Sequence, residues 1–307
     1  MAFRDEIKTY NAAVLIAKKF INHEDVNDIF YGRKYIKGKP IGDISIRFNV
    51  NKKKSESNLK SKSILPKKLG KFYTDVTDFK PKKNTREENP SLVIRPLIGG
   101  VQIQSSQFNS PSAWGTLGCN LKINGSWYGI TNFHVAFGEI PDDTPPGNGL
   151  QMLQPKFRNF GEPIGRITSV FNKFLDYALI KLNVKVDGLQ SINGFIGELE
   201  GFTNPTEEMR MFKFGASTGK TFGVFDARSI IDRHRIIIRF DTNGPNDSNR
   251  ISSPGDSGSM CVTPQNSAPG NLRMVALHYA GDEERNIAFA SLFSSISPSI
   301  RSQLPLT

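Results

Sequence analysis

Cysteine and histidine are scarce in this 307-residue sequence. It contains two cysteines, Cys119 and Cys261, and four histidines. Neither cysteine belongs to a Cys-x-x-Cys pair or lies beside a histidine, so no metal-ligand spacing is recognisable. Residues 214–221 end in Gly-Lys-Thr like a phosphate-binding loop, but Phe214 stands where that loop needs glycine. We therefore expect no metal, nucleotide or other cofactor.

Long apolar runs are missing as well. No run approaches the ~18 residues that a membrane-spanning helix needs. The first residues, Met-Ala-Phe-Arg-Asp-Glu-Ile-Lys, carry acidic side chains and lead to only a short apolar patch, unlike a signal peptide. We expect a cytoplasmic protein without a membrane span.

The excess positive charge lies entirely in the first third of the chain. Residues 1–96 contain 22 Lys and Arg against 11 Asp and Glu, whereas residues 97–307 contain 18 of each. Two units with different roles are the simplest account of this division. The sequence therefore predicts a small basic N-terminal domain over residues 1–96 and a second domain over residues 97–307.

The N-terminal domain has the pattern of an α+β unit. Residues 2–21 place apolar side chains at helical spacing, and residues 26–50 contain β-forming and alternating segments that predict a hairpin. Residues 51–83 are rich in lysine. This segment is typical either of a solvated loop or of a surface for nucleic acid or another acidic partner.

From Leu97 onward, short apolar runs alternate with turn residues and show almost no helical period. Such a pattern predicts an all-β barrel domain. We therefore expect these 211 residues to be mainly β.

Ser257 lies in the segment Gly255-Asp256-Ser257-Gly258. A serine between two glycines suits a nucleophile on a tight turn, where nearby backbone N–H groups can stabilise an oxyanion. An ordinary β-turn has the same composition. The motif alone therefore leaves both interpretations open.

Two upstream residues supply what a nucleophilic serine needs. His134 directly follows the strand-like run 127–130, and Asp176 stands at the head of the apolar run 177–182. A serine hydroxyl requires a base, and the base requires an acid that fixes its tautomer. The chain order is His134, Asp176, Ser257, which differs from the order in α/β-hydrolases and in subtilisins.

These three segments resemble the chymotrypsin/trypsin-like serine peptidases. Residues 131–135 are similar to that family's Thr-Ala-Ala-His-Cys, residues 175–182 to its Asp-Ile-Ala-Leu-Leu-Lys-Leu, and residues 255–259 to its Gly-Asp-Ser-Gly-Gly. The resemblance implies a chymotrypsin-like double β-barrel that hydrolyses protein or peptide substrates. It also implies a triad and an oxyanion hole formed by two backbone amides. The triad residues would be His134, Asp176 and Ser257, and the amides those of Gly255 and Ser257.

Two further segments resemble the intracellular narrow-leaf-type branch of these peptidases. They are Gly115-Thr116-Leu117-Gly118 and, in the N-terminal domain, Gly32-Arg33-Lys34-Tyr35. Val135 stands where secreted members carry a cysteine that forms a disulfide. The resemblance therefore implies a chain without a structural disulfide.

The resemblance also bears on specificity. Ile251 occupies the position of the aspartate that selects basic P1 residues in trypsin, so a basic P1 is not expected. Residues 276–281 resemble the Gly-Ile-His-Trp-Gly-Gly strand of glutamyl endopeptidases. This likeness implies that His278, with Ser252 nearby and Tyr279 beside it, receives an acidic P1 side chain. The alternative is a packed strand histidine.

Activation is the remaining expectation. In secreted relatives the aspartate before the nucleophile pairs with a new N-terminus, and we expect no such partner for Asp256 on the intact chain. The site would then be formed constitutively or gated by a partner or by the N-terminal domain. Residues 97–101 also resemble the Ile-Val-Gly-Gly start of mature secreted members, so the N-terminal domain as a pro-segment stays an alternative, although Pro96 before them disfavours ordinary tryptic cleavage. Two alternatives stay open: a catalytically silent fold that acts as a binding module, and a nucleic-acid-associated effector.

Overall fold

The computed structural model describes residues 2–36, 39–54, 64–78, 82–83, 93–108, 113–139, 149–155, 161–186, 198–264 and 271–304. The chain divides into two compact units. The first comprises Met1–Pro81 with Asp226–Ile237, and the second comprises Lys82–Phe225 with Ile238–Thr307. The boundary expected from the sequence falls after residue 96. The first unit therefore ends earlier than that and also takes in a later segment.

The first unit contains a helix, a hairpin and two short strands. Helix α1 spans Ala2–Ala17 and is followed by a 3₁₀ turn at Lys18–Phe20. The strands are β1 (Val26–Ile36), β2 (Lys39–Val50), β3 (Lys68–Leu69) and β4 (Phe72–Thr77). Strand β2 pairs antiparallel with β1 and parallel with β4. Apolar side chains of α1 pack on those of β1 and β2 to form the core of this unit.

A curled antiparallel sheet opens the second unit, after the short strand β5 (Lys82–Lys83). Its strands are β6 (Gln102–Ser105), β7 (Gly115–Thr116), β8 (Cys119–Ile123), β9 (Ser126–Thr131), β10 (Gln151–Gln154), β11 (Glu162–Asn172) and β12 (Tyr177–Leu182). They pair in the order β7-β6-β10-β11-β12-β9-β8. Leu117 and Gly118 join the two edge strands, and their N–H groups donate to Val101 and Ile130. This link curls the sheet round an apolar core. The short helix α2 (Phe133–Phe137) follows β9.

A second set of strands forms a closed barrel. The elements are β13 (Glu198–Phe202), β14 (Arg210–Gly215), β15 (Gly219–Ser229), β16 (Arg235–Phe240), β17 (Met260–Pro264), β18 (Asn271–Asp282), β19 (Ile287–Leu292) and helix α3 (Phe293–Gln303). Six of them pair in the ring β14-β17-β18-β19-β16-β15, which closes because β15 also pairs with β14. Strand β13 pairs with β18 outside the ring.

Apolar residues of both barrels meet in one buried cluster of the second unit. Leu121, Ile130 and Leu179 come from the first barrel, and Met260 and Leu277 come from the second. Two packed antiparallel barrels after an α+β N-terminal portion are the architecture that the sequence resemblance implies. The prediction of a mainly β, chymotrypsin-like double β-barrel is confirmed.

Candidate active site

The Asp176 carboxylate holds His134 at two points. Nδ1 of the His134 ring lies 2.7 Å from Oδ2 of Asp176, and the His134 backbone N–H donates to Oδ1 at 3.1 Å. A carboxylate only accepts, so in the neutral imidazole Nδ1 carries the proton and Nε2 is the free base nitrogen. This tautomer is the one that a general base needs when it takes a proton through Nε2.

The local backbone structure fixes the positions of His134 and Asp176. His134 lies in α2 directly after β9, and Asp176 lies in the turn between β11 and β12 with φ of +52°. The backbone carbonyl of Asp176 accepts a hydrogen bond from the Asn132 amide at 2.8 Å. Because β9 and β12 are adjacent antiparallel strands, the residue after one strand meets the residue before the other. The pairing of β9 with β12 therefore brings the two side chains together.

Ser257 occupies a turn that only glycine neighbours allow. Gly255 and Gly258 each have a φ of +96°, which is strained for any other residue. A Cβ on Gly255 would lie 2.3 Å from the Trp114 ring, and one on Gly258 would lie 2.1 Å from the Thr116 carbonyl oxygen. The two glycines thus serve both the backbone conformation and the close packing around Ser257.

Thr116 anchors this turn. Its Oγ1 donates to the Gly255 carbonyl at 2.8 Å, and its N–H donates to the Ser257 carbonyl at 2.7 Å. Within the described part of the chain, the N–H groups of Gly255 and Ser257 donate to no protein acceptor. Two available amides beside a serine hydroxyl are able to stabilise an oxyanion chemically.

The Ser257 hydroxyl itself points elsewhere. It donates to the carbonyl of Tyr279 at 3.0 Å, while the buried Nε2 of His134 makes no hydrogen bond to any described residue. The turn nevertheless packs close to α2. A Cβ on Gly115 would lie 2.5 Å from the Val135 side chain and 2.8 Å from the Ser257 carbonyl oxygen. The structure therefore pairs His134 with Asp176 and places Ser257 nearby without a hydrogen bond from Ser257 to His134.

Asp256 has a cationic partner that the sequence analysis missed. Nζ of Lys213 lies 2.8 Å from Oδ2 of Asp256, and both side chains are buried. The expectation that the intact chain offers Asp256 no such partner is wrong. Lys213 stands between Phe212 and Phe214 in β14, and a lysine in an otherwise apolar strand was the available signal.

The remaining bonds to the Asp256 carboxylate come from backbone and hydroxyl donors. Thr218 donates through both its N–H and its Oγ1, and the N–H groups of Ser217 and Ser253 donate as well. Burial by itself would raise the pKa of Asp256, but the Lys213 ammonium and these hydrogen bonds outweigh it, so the pKa is lowered. Asp256 is therefore ionised at neutral pH and locks the turn before Ser257.

His278 is fully buried and neutral. Its Nδ1 lies 3.1 Å from the Phe289 carbonyl and its Nε2 lies 2.9 Å from Oγ of Ser252. Burial, with a smaller contribution from the Lys213 charge, lowers the pKa of His278 to about 3. Because a carbonyl only accepts, Nδ1 carries the proton and the Ser252 hydroxyl donates to Nε2. Both ring nitrogens are thus engaged within the protein.

The other two predicted specificity residues, Ile251 and Tyr279, are the chain neighbours of Ser252 and His278. Ile251 is buried, and its N–H donates to the Asn286 side chain at 2.8 Å. Tyr279 is partly exposed, and its ring centroid lies 6.4 Å from that of Phe289. The structure therefore joins Ser252 to His278 directly and places Tyr279 at the Ser257 hydroxyl through its carbonyl.

Neither cysteine contributes to this site. Cys119 and Cys261 are free and buried, and burial raises the pKa of both thiols. Among the described residues, no group of three or more His, Cys, Asp or Glu side chains has an arrangement that would hold a metal ion. Within the same residues, no helix combines the length and apolar character needed to cross a membrane.

Comparison with known proteins gives structural matches only. No protein-family model and no curated protein match the chain. Solved structures that are similar include a glutamic acid specific serine protease described as using a novel histidine triad in substrate binding. That match has 13% identity, covers 66% of this chain and 97% of the other, and has a TM-score of 0.45.

Two further matches are Thermobifida fusca Protease A and Cellulomonas bogoriensis chymotrypsin. The first has 12% identity, a TM-score of 0.44 and coverage of 67% and 95% of the two chains. The second has 16% identity, a TM-score of 0.42 and coverage of 66% and 94%. The three solved structures named here are proteases with 12–16% sequence identity to this chain. The function is therefore inferred from the geometry of the chain itself.

Proposed function

We propose that this protein is a serine endopeptidase with Ser257 as nucleophile, His134 as general base and Asp176 as the residue that orients His134. The observation that carries the proposal is the two-point contact of the Asp176 carboxylate with the ring and backbone of His134. In the neutral imidazole this contact leaves Nε2 without a proton, as a general base requires.

The proposed chemistry follows from these groups. Rotation about χ1 moves the Ser257 hydroxyl from the Tyr279 carbonyl to Nε2 of His134, and Oγ then attacks the carbonyl carbon of the scissile bond. The proton passes to Nε2, and the amides of Gly255 and Ser257 stabilise the oxyanion. Each such donor contributes about 3 kcal/mol.

The tetrahedral intermediate then collapses. The bond to the leaving nitrogen breaks, Nε2 returns its proton to that nitrogen, and an acyl-enzyme remains on Ser257. Water, activated by the same nitrogen, repeats the sequence and releases the carboxylic acid.

We infer further that the site needs no proteolytic activation. The buried pair of Lys213 and Asp256 supplies, within the intact chain, the cation that holds the turn before Ser257. Gating by a partner or by the N-terminal domain would then act on the Ser257 hydroxyl, which has to turn from the Tyr279 carbonyl to His134. A truncation at residue 97 tests gating poorly, because residues 226–237 belong to the first unit and Asp226 there pairs with Arg47.

For P1 we propose that a basic side chain is rejected, since Ile251 supplies no charge to receive it. An acidic P1 preference through His278 requires a change in the hydrogen bonding or protonation of its ring. Nε2 of His278 accepts from Ser252, so a glutamate carboxylate binds there only if the imidazole changes tautomer or gains a proton. Cleavage of a peptide library with all twenty P1 residues tests both the rejection of basic side chains and the preference for acidic ones. Cleavage only after apolar residues would exclude the acidic preference.

The experiment that tests the proposal is labelling with a fluorophosphonate probe, followed by mass spectrometry of the intact chain. We expect covalent labelling at Ser257, none in Ser257→Ala, and labelling about 10⁴-fold slower in Asp176→Asn because that change favours the wrong tautomer. Ser253→Ala, a partly buried serine of the same segment, is the matched control and should label normally.

Labelling at a different serine, or no labelling of the folded protein, would contradict the proposal. The second result would leave the alternative of a catalytically silent fold that acts as a binding module. Circular dichroism of each variant establishes that the protein is folded.

A further inference from the structure

A cavity of about 270 Å³ lies in the second unit and contains none of the residues assigned to the candidate active site. It is bounded by the turn end of the β8–β9 hairpin, by β13, by β18 and by α3. Its volume is slightly below the ~300 Å³ at the lower end of sites for drug-sized ligands. It can therefore accept one large side chain together with part of its backbone.

The walls of the cavity are apolar. Leu121, Met274, Phe293 and Ile300 are buried in the protein core and also line the cavity. Phe202 lines it as well and is 38% exposed, which is high for a phenylalanine. Burying such surface against an apolar group is favourable at roughly 25 cal/mol per Å². The cavity thus fits an aliphatic or aromatic side chain.

Two positive charges accompany this apolar surface. Lys122 of β8 and Arg301 of α3 line the cavity, and both residues are exposed. Within the described part of the chain neither forms an ion pair, although Nζ of Lys122 lies 5.8 Å from the centroid of the Trp127 ring. No described acidic residue lines the cavity. The charge of this surface is therefore complementary to carboxylates.

The cavity is remote from the candidate active site. It lies at the turn end of the β8–β9 hairpin, whereas His134 lies beyond the opposite end of β9, eight residues after Ser126. The six residues of β9 alone extend over about 20 Å at about 3.3 Å per residue. A bound group in the cavity therefore leaves the space around Ser257 open.

We propose that this cavity is a docking site for an acidic segment of another protein that presents one large apolar side chain with aspartate or glutamate on both sides. The apolar side chain fills the cavity, and its acidic neighbours meet Lys122 and Arg301. Two cations on different elements favour two separated carboxylates over the single carboxylate of a fatty acid. A protein substrate bound in this way would be held at a second point, which lowers its KM relative to a short peptide.

The test measures binding rather than catalysis. The full chain carrying Ser257→Ala is titrated into a fluorescein-labelled peptide, Gly-Asp-Asp-Phe-Asp-Asp-Gly, at about 50 mM salt, and anisotropy is recorded. We expect saturable binding that weakens about tenfold in the double variant Lys122→Glu/Arg301→Glu. Ser297→Trp, which fills the cavity from α3, should abolish it. Lys181→Glu, which reverses the charge of one exposed lysine of β12, is the control for a general effect of charge and should bind nearly normally.

The peptide itself supplies two more controls. Replacement of its phenylalanine by alanine, or of its aspartates by asparagines, should each weaken binding. Absence of saturable binding, or equal affinity for the double variant and for Lys181→Glu, would overturn the proposal. Because Ser257→Ala has no nucleophile, these results are independent of fluorophosphonate labelling. Failure of the proposed peptidase activity would leave them unaffected.

Discussion

Among the residues that the structure describes, each of the two compact units contains one ion pair with both side chains buried. In the first unit, Nη1 of Arg47 lies 3.0 Å from Oδ2 of Asp226, and in the second, Nζ of Lys213 lies 2.8 Å from Oδ2 of Asp256. The surroundings differ. The Asp256 carboxylate also accepts from a hydroxyl and three backbone amides, whereas Nε of Arg47 makes no hydrogen bond to a described residue.

This difference in hydrogen bonding indicates that the Arg47 pair is structural, whereas the Lys213 pair also holds the turn that carries Ser257. A buried ion pair is weak evidence for net stability, because desolvation offsets most of the attraction. The Lys213 pair collects donors from the β14–β15 turn and from Ser253, and so it determines the conformation of the turn that carries Ser257. The Arg47 pair joins β2 to the later segment of its own unit. We therefore expect loss of the first pair to affect reactivity, and loss of the second to affect only stability.

The largest effect is expected for Lys213→Met. Removal of one partner leaves an uncompensated buried carboxylate and costs about 3–5 kcal/mol of unfolding free energy. Displacement of the Gly255 and Ser257 amides should slow fluorophosphonate labelling by about 10²–10³-fold. Labelling rates and urea denaturation measure the two quantities. The double variant Lys213→Met/Asp256→Asn should regain stability but not reactivity, and unchanged labelling in the single variant would contradict this role of Lys213.

Arg47→Met is the matched change in the first unit. It should cost a similar 3–5 kcal/mol in urea denaturation, because Asp226 then stays buried without its cation. The labelling rate per folded molecule should equal that of the unaltered protein. A labelling rate that falls as far as in Lys213→Met would show that the Arg47 pair affects reactivity as well as stability. It would favour gating by the N-terminal domain.

A smaller effect is expected for Gly215→Ala. A Cβ at this position would lie 2.1 Å from Oδ1 of Asp256, so the carboxylate would have to shift while its cation stays in place. We expect labelling to slow by about tenfold, since one of the two proposed oxyanion donors moves without being lost. Gly125→Ala is the control, because a Cβ there meets no atom within 4 Å and only the positive φ is strained. That variant should lose about 1 kcal/mol of stability and label normally.

The smallest effect concerns Asp28, a carboxylate of the first unit whose hydrogen-bond donors are the uncharged Ser229 hydroxyl and Ile29 N–H. Burial raises its pKa to about 6. A raised pKa means that the folded state binds the proton more tightly, so this stabilisation is complete below about pH 4 and is lost as the pH rises through 6. Asp28→Asn should therefore raise the unfolding free energy at pH 8 by about 1–2 kcal/mol.

Denaturation of Asp28→Asn at pH 4 and at pH 8 checks this expectation. A gain at pH 8 with no gain at pH 4 would agree with it. Asp256 has the opposite effect on the pH dependence of stability. Because its pKa is lowered, its ionised form stabilises the fold at pH values above the ordinary aspartate pKa, and this contribution is lost as the pH falls through the lowered pKa. The two carboxylates thus distinguish burial with a directly bonded cation from burial with uncharged hydrogen-bond donors.

Much of the fold was accessible from the sequence because its signals are local. The alternation at Ile44, Ile46, Phe48 and Val50 reflects the two faces of a strand, and β2 spans these residues. The glycines beside Ser257 mark a backbone conformation that other residues avoid, and the structure has both at positive φ. The narrow-leaf-type branch, the cytoplasmic location and an anionic partner of the basic domain stay predictions.

The sequence by itself determined the order of His134, Asp176 and Ser257, the strand patterns around them and the double β-barrel that they accompany. Only the tertiary structure decided that Lys213 reaches Asp256, that both nitrogens of His278 are engaged, and that residues 226–237 join the first unit. The reason is physical. Periodicity and turn chemistry depend on neighbours in the chain, whereas the partner of a buried charge depends on which distant strands pair.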